Sequence, residues 1–330
     1  MVMEMTVPNR DSKFDNIRAL VIFLMVLGHF ISIKRHFDLL YSAIYIFHMP
    51  LMVFVSGYFS KDHINYKTIK SIYNLIIAYV LMVLISALTQ GKLRFFLPSF
   101  AAWYLLSLIQ WKLLLPVILK LRYPIFLSFT ISLLCGFSEA DAFLSFHRTL
   151  AFLPFFVTGY FTAQNARILR LKRFNCVTTN MLLGSIYLGA LIATVTMDYK
   201  ISIFWMKAPY QSLGLSPLKG MLGRVLIYCG SFAIILLLIN IMPSARLHLT
   251  KVGENSVVVY VLHIIVYYYL SASPYIRTHS RVAELLLLIV LAGMTCWVCS
   301  CTLIQRAYDR IVNGARYLIC REESGGSLLS

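Results

Sequence analysis

The chain has 330 residues, of which 59% are hydrophobic and only 13% are charged. A soluble domain has about a quarter of its residues charged, so this composition excludes an ordinary soluble domain and predicts a polytopic membrane protein. The net charge of +17 does not indicate nucleic-acid binding, because the basic residues lie in short loops between apolar runs and form no recognition motif.

Ten apolar segments follow one another along the chain, and we predict that each forms a membrane-spanning helix. The predicted fold class is therefore all-α, a polytopic bundle of about ten transmembrane helices. The segments are Asn16–Ile33, Tyr41–Ser60, Ile69–Leu88, Leu97–Leu119, Tyr123–Phe137, Thr149–Ala163, Thr179–Met197, Met221–Met242, Val252–Ser271 and Val282–Ile304.

An even number of spans places both termini on the same side of the membrane. Lys and Arg are more frequent in the loops on the N-terminal side than in the opposite loops. Cytoplasmic loops carry this excess in membrane proteins, so we predict that both termini are cytoplasmic. The transmembrane domain is expected to cover residues 1–305, and residues 306–330 are expected to form a basic cytoplasmic tail, partly disordered at Gly325-Gly326-Ser327.

The first apolar segment carries Arg18 and His29, which are separated by ten uncharged residues. At about 100° and 1.5 Å per residue, the two side chains lie within about 20° of one helix face and roughly 16 Å apart along its axis. Ionisable residues within a membrane span are costly and mark functional sites. Arg18 is suited to hold an anion and His29 to move a proton, while Asp15, three residues before Arg18, is placed to orient it.

The second apolar segment carries His48. If the first two segments form a hairpin that turns near residues 35–38, His29 and His48 are about equally far from the turn and lie at a similar depth. Two imidazoles at one depth are suited to share a substrate or a proton. The alternative for His48 is a buried histidine that is hydrogen-bonded to a neighbouring carbonyl.

Polar and aromatic residues near the predicted outer side are candidates for substrate binding, because flat aromatic faces beside polar groups suit sugar rings. The alternative is an aromatic belt at the membrane interface for the aromatics of the loop at 198–220, and a snorkelling or capping residue for the others. The candidates are Trp103, Tyr104, Arg148, Trp205, Tyr210 and Arg224. Near the cytoplasmic side, the candidates for cofactor binding are Arg18, Asp15, Lys61, Glu254 and Asn255.

The seven cysteines predict neither a disulfide framework nor a metal site. Most of them lie inside apolar segments. Cys296, Cys299 and Cys301 have a spacing like that of metal ligands, but no fourth ligand follows nearby. We therefore expect no metal.

Five motifs in the same order along the chain resemble the integral-membrane acyltransferase-3 family, and within it the fucose 4-O-acetylase-like branch. The first is a basic-x10-His pattern, formed here by Arg18 and His29. The motifs are FDNIRALVIFLMVLGHF, IYIFHMPLMVFVSGYFSK, AWYLLSLIQWKLLLP at 102–116, RTLAFLPFFVTGYF at 148–161 and GENSVVVYVLHIIV at 253–266.

The resemblance implies ten spans in a bacterial plasma (inner) membrane and transfer of an acetyl group from cytoplasmic acetyl-CoA to a sugar hydroxyl. The acceptor would be a cell-surface polysaccharide or its lipid-linked precursor. His29 would be the general base or the acyl carrier, with Arg18 and His48 as further catalytic candidates. The alternatives are a transporter or flippase of glycan precursors and an enzyme of the same class with another acyl donor, such as succinyl.

Overall fold

The structure, a computed structural model, describes residues 12–33, 36–91, 93–98, 100–138, 143–165, 176–273 and 280–319. Within these ranges the chain is all-helical and contains no β-strand, as the sequence predicts. The α-helices are α1 Lys13–Ser32, α2 Asp38–Tyr45, α3 His48–Tyr58, α4 Tyr66–Gln90, α5 Trp103–Ile118, α6 Pro124–Leu134, α7 Phe146–Gln164, α8 Val177–Thr196, α9 Pro217–Ile241, α10 Thr250–Glu254, α11 Ser256–Ala272, α12 Arg281–Cys299 and α13 Thr302–Ile319.

Six helical segments in the described part of the chain are long and apolar enough to cross a membrane. Several of the other helices are apolar but shorter. The six are Lys13–Ser32, Asp38–Tyr58, Tyr66–Gln90, Val177–Thr196, Pro217–Ile241 and Arg281–Cys299. The chain is therefore a multi-pass membrane protein, while the count of ten spans and the side of the termini remain predictions.

Two of the predicted segments are broken helices. The second segment divides into α2 and α3 at Ile46–Phe47, directly before His48. The ninth divides into α10 and α11 at Asn255. Backbone groups freed by such breaks must be satisfied inside the protein, and Ser231 of α9 does so by donating a hydrogen bond to the Ile46 carbonyl, at 2.5 Å.

The predicted basic tail begins as a helix, because α13 extends from Thr302 to Ile319. It packs against α4 and α12. The segment expected to be disordered, Gly325-Gly326-Ser327, lies outside the described residues.

Helix α1 lies inside the bundle, where it packs against α3, α10, α11 and α12. Most of its side chains are buried, including Asp15 and His29. At Gly253 of α10, any Cβ atom would collide with the Asp15 carbonyl. This contact brings the first turn of α1 directly against α10.

Helices α3 and α7 also pack closely, and each contributes a glycine to the crossing. A Cβ atom at Gly57 would meet the Phe156 carbonyl oxygen, and one at Gly159 would meet the Phe54 carbonyl oxygen. Small residues permit such contacts between membrane helices. The crossing fixes α3, which begins at His48, against α7, which carries Arg148.

Candidate active site

A cavity of about 500 Å³ lies at the C-terminal end of α1, and we call it the histidine cavity. Its walls come from seven helices and from the loops that precede α5 and α9. The lining residues are His29, Ser32, Tyr41, Tyr45, His48, Met49, Gln90, Phe100, Ala101, Trp103, Arg148, Phe152, Phe204, Trp205, Lys207, Tyr260, Tyr267 and Tyr268.

His29 contacts aromatic groups from two neighbouring helices. The Tyr45 hydroxyl of α2 lies 3.0 Å from its Nδ1 atom. On another side, the His263 imidazole of α11 stacks on its ring, with centroids 5.3 Å apart. The hydroxyl and the stacked ring together fix the orientation of the His29 imidazole within the cavity wall.

His48 lines the same cavity as His29, which agrees with the similar depth predicted for the two residues. Its Nδ1 lies 3.0 Å from the Ile44 carbonyl oxygen. A carbonyl only accepts hydrogen bonds, so Nδ1 carries the proton and Nε2 is left as an acceptor in the neutral ring. Tyr45 lies between the two histidines, with its ring 4.5 Å from that of His48.

A ring stack and a hydrogen bond link Tyr45 to the loop before α9. The Tyr41 and Tyr45 rings stack with centroids 3.7 Å apart. Trp205 donates from Nε1 to the Tyr41 hydroxyl at 2.6 Å. Trp205 is thus connected to His29 through two tyrosines.

Arg148 lies on the histidine cavity together with Trp103 and Trp205, three residues that the sequence nominates for substrate binding. Its guanidinium carbon lies 4.9 Å from the centre of the Trp103 ring. Its Nε donates to the Trp205 carbonyl at 3.2 Å. The cavity therefore contains a cation and two tryptophans in addition to the histidines.

A second cavity, of about 320 Å³, lies towards the N-terminal end of α1, and we call it the arginine cavity. It is lined by Arg18, Met52, Ser56, Phe59, Ser71, Leu75, Tyr104, Leu105, Leu108, Lys112, Glu254, Ser256, Val257 and Tyr260. Arg18 pairs with Asp15 at 3.2 Å, as the three-residue spacing predicts, and its guanidinium lies 4.3 Å above the Phe59 ring.

Tyr260 of α11 lines both cavities. Its hydroxyl donates to the Ala101 carbonyl, and its ring lies 5.2 Å from that of Tyr104. Tyr104 lines the arginine cavity, whereas its neighbour Trp103 lines the histidine cavity. The two cavities therefore adjoin at the start of α5 and the first turns of α11, where Tyr260 belongs to both walls.

Of the three other candidates for cofactor binding, only one lines the arginine cavity. Glu254 lines the arginine cavity and makes two bonds to Arg246, at 2.9 and 3.0 Å. Asn255 donates to the Lys251 carbonyl and lines neither cavity, and Lys61 is exposed outside both.

Arg224 and Tyr210, which the sequence also nominates for substrate binding, line neither cavity. Arg224 donates to the Ser132 carbonyl at 2.6 Å and lies above the Tyr210 ring, at 4.8 Å. Tyr210 in turn donates to the Leu133 carbonyl. These bonds tie α9 and its preceding loop to α6, which is a structural role.

The sequence gives no emphasis to the tyrosines around His29, because tyrosine within apolar segments is also typical of a membrane belt. The second segment does contain a pattern from which two of these tyrosines could be predicted to lie near His48. Tyr41, Tyr45 and His48 recur at intervals of four and three residues, the spacing of one helix face. Within the described residues, no group of three or more His, Cys, Asp or Glu side chains is placed to hold a metal ion.

A helical membrane bundle with a histidine-lined cavity fits both an enzyme and a transporter, so the fold alone does not decide the class. The family model described as "Acyltransferase domain" matches residues 11–304, so the chain belongs to the acyltransferase-3 family. This description favours acyl transfer over the transport considered as an alternative.

A curated relative matches the chain over a short stretch. The chain is 41% identical to the nodulation protein NolL of Sinorhizobium fredii (strain NBRC 101917 / NGR234), over 17% of this chain and 17% of that protein. The chain thus covers less than a fifth of that relative. No solved structure matches the chain.

Proposed function

We propose that this protein is a membrane O-acetyltransferase of the fucose 4-O-acetylase-like branch. It transfers the acetyl group of cytoplasmic acetyl-CoA to a sugar hydroxyl of a cell-surface polysaccharide or its lipid-linked precursor. The proposal includes ten spans in a bacterial inner membrane with both termini in the cytoplasm. The observation that carries it is the pair of cavities at opposite ends of α1, which meet at Tyr260.

The arginine cavity suits the donor. Arg18 and Lys112 are its cations, and charge-assisted bonds from such groups hold phosphate. Asp15 orients Arg18. Glu254, Asn255 and Lys61, which we place at the cytoplasmic end, would complete the entrance for the nucleotide. The arm of the coenzyme would then follow α1 past Tyr104 and Tyr260, over a distance of roughly 16 Å between Arg18 and His29.

The histidine cavity suits the reaction itself. In our proposal, His29 Nδ1–H donates to the Tyr45 hydroxyl, which leaves Nε2 unprotonated and able to accept a proton. Nε2 takes the proton of the acceptor hydroxyl while that oxygen attacks the thioester carbonyl carbon. The carbon–oxygen bond forms, the carbon–sulfur bond breaks, and the imidazolium returns its proton to the departing thiolate. His48 lies beside this step and is a second candidate base.

The acceptor would enter the histidine cavity from the end opposite the arginine cavity. Trp103 and Trp205 offer flat faces to a sugar ring, and Arg148 lies beside both. Aromatic rings and a guanidinium around one cavity are well suited to a polar, planar-faced ligand.

Inverted membrane vesicles, which expose the cytoplasmic face, give a direct test of the donor and its side. Vesicles from cells with and without this protein receive acetyl-CoA labelled in the acetyl group, and glycan is extracted. We expect label in glycan only when the protein is present and only from inverted vesicles. Label from sealed right-side-out vesicles alone would overturn the proposed direction. A parallel reaction with labelled succinyl-CoA identifies the acyl group, and stronger transfer of succinyl would replace acetyl in the proposal.

A further inference from the structure

The histidine cavity carries an unbalanced positive charge. Arg148 and Lys207 line it, and no Asp or Glu is among the described residues of its wall. By contrast, Arg18 pairs with Asp15 and Arg246 pairs with Glu254, so each of these two cations has an opposite charge beside it. A cation that lines the interior of a membrane protein is costly without an opposite charge, and its retention indicates an anionic ligand.

Arg148 is held in place by neutral groups. Its Nε donates to the Trp205 carbonyl at 3.2 Å, and an Nη donates to the Phe100 carbonyl at 3.5 Å. The Trp103 ring lies 4.9 Å from its guanidinium carbon. These contacts fix the plane of the guanidinium without neutralising it, and they leave N–H groups of the fork for a planar oxyanion.

Lys207 adds a second cation next to Arg148. Its Nζ lies 4.7 Å from the centre of the Trp205 ring, the residue whose carbonyl accepts from Arg148. Arg148 is half-buried, whereas Lys207 is exposed at the edge of the cavity. Trp205 therefore holds one cation inside the cavity and another at its edge, on the same side.

We infer that the acceptor carries an oxyanion, which Arg148 and Lys207 bind while His29 faces the reacting hydroxyl. This inference rests on the proposed function and names the substrate class within it. The donor's phosphates are assigned to the other end of α1, where Arg18 and Lys112 lie. Two chemical groups of an acceptor can supply this oxyanion: the carboxylate of an acidic sugar, or the phosphate that links a glycan to its lipid carrier.

Binding to the purified protein tests the site without requiring turnover. The full chain in nanodiscs of neutral lipid is titrated with glucuronate and with inorganic diphosphate, and heat of binding is recorded. We expect at least one anion to bind, more tightly than glucose, and about tenfold or more weakening in Arg148→Gln and Lys207→Gln. The matched control is Lys219→Gln, because Lys219 also lies over an aromatic ring, 5.5 Å from that of Tyr199, but outside the cavity. Binding of neither anion, or equal weakening by K219Q, overturns the inference.

The labelled glycan from inverted vesicles separates this inference from the proposed function. Absence of any labelled glycan refutes the proposed function itself. A labelled product that passes an anion exchanger unretained refutes the anionic acceptor alone. A retained product supports it, and mild acid, which cleaves sugar–diphosphate links, distinguishes a lipid-linked phosphate from a sugar carboxylate.

Kinetics in the same vesicles identify which substrate the two cations serve. Lys207→Gln is expected to raise the KM for acceptor about tenfold with little change in the KM for acetyl-CoA. Arg148→Lys, which keeps the charge but loses the planar fork, is expected to recover part of the loss of Arg148→Gln. A change confined to the KM for acetyl-CoA would assign the cations to the donor and overturn the inference.

Discussion

The hydroxyl of Tyr45 lies 3.0 Å from Nδ1 of His29, across the contact between α2 and α1. A hydrogen bond at Nδ1 decides which ring nitrogen is free to act as a base. Tyr45 is therefore a positioning residue for His29, and the break that follows α2 brings His48 to the same cavity.

Tyr45→Phe removes this hydrogen bond and keeps the ring. We expect kcat to fall about tenfold, the effect of one hydrogen bond of roughly 1–1.5 kcal/mol, with little change in the KM for acetyl-CoA. The control is Tyr187→Phe, because the Tyr187 hydroxyl is hydrogen-bonded too, to the Ala43 carbonyl at 2.8 Å, but outside the cavity. Equal loss of kcat in both variants would show that Tyr45 acts only through stability.

Arg18→Ala is expected to raise the KM for acetyl-CoA about tenfold or more while leaving kcat nearly unchanged, because a charged contact to the donor's phosphate is lost. Arg122→Ala is a suitable control. Arg122 also lies near an aromatic ring, 5.2 Å from that of Tyr123, but lines neither cavity. An unchanged KM in the Arg18 variant would remove Arg18 from the donor site.

Gly57→Ala is expected to destabilise the protein by roughly 1–3 kcal/mol, because its Cβ atom would collide with the Phe156 carbonyl and separate α3 from α7. Gly189→Ala should be neutral or mildly stabilising, since no described atom lies within 4 Å of a Cβ atom there. Thermal unfolding in detergent measures both. Equal Tm values for the two variants would contradict the close packing of α3 and α7.

The sequence predicts much of the bundle, because long apolar runs can only be buried in lipid or in protein. Helix periodicity also predicts that Arg18 and Asp15 pair. The equal distance of His29 and His48 from the turn predicts a similar depth, which agrees with the cavity that both line. It does not predict the break at Ile46–Phe47. The break depends on Ser231 of α9, which satisfies the freed carbonyl and lies far away in sequence.

The sequence also does not predict contacts between residues of distant helices. His263 is recognisable as a polar residue of the ninth segment, but its stacking on His29 requires the packing of α11 against α1. The contacts of Arg224 are likewise not predictable from the sequence. A buried arginine looks functional in sequence, yet the carbonyl of Ser132 and the ring of Tyr210 satisfy it within the structure.

We propose His29 as the base that activates the acceptor hydroxyl. Glycan acetylation by a His29→Ala variant tests this role most directly. Inverted vesicles containing equal amounts of wild type, His29→Ala or His248→Ala receive labelled acetyl-CoA. His248 is exposed and lines neither cavity, so its variant is the matched control. Loss of a general base lowers the rate by about 10²–10⁴-fold, so we expect H29A to transfer almost no label and H248A to match wild type. Transfer by H29A at the wild-type rate would contradict the account.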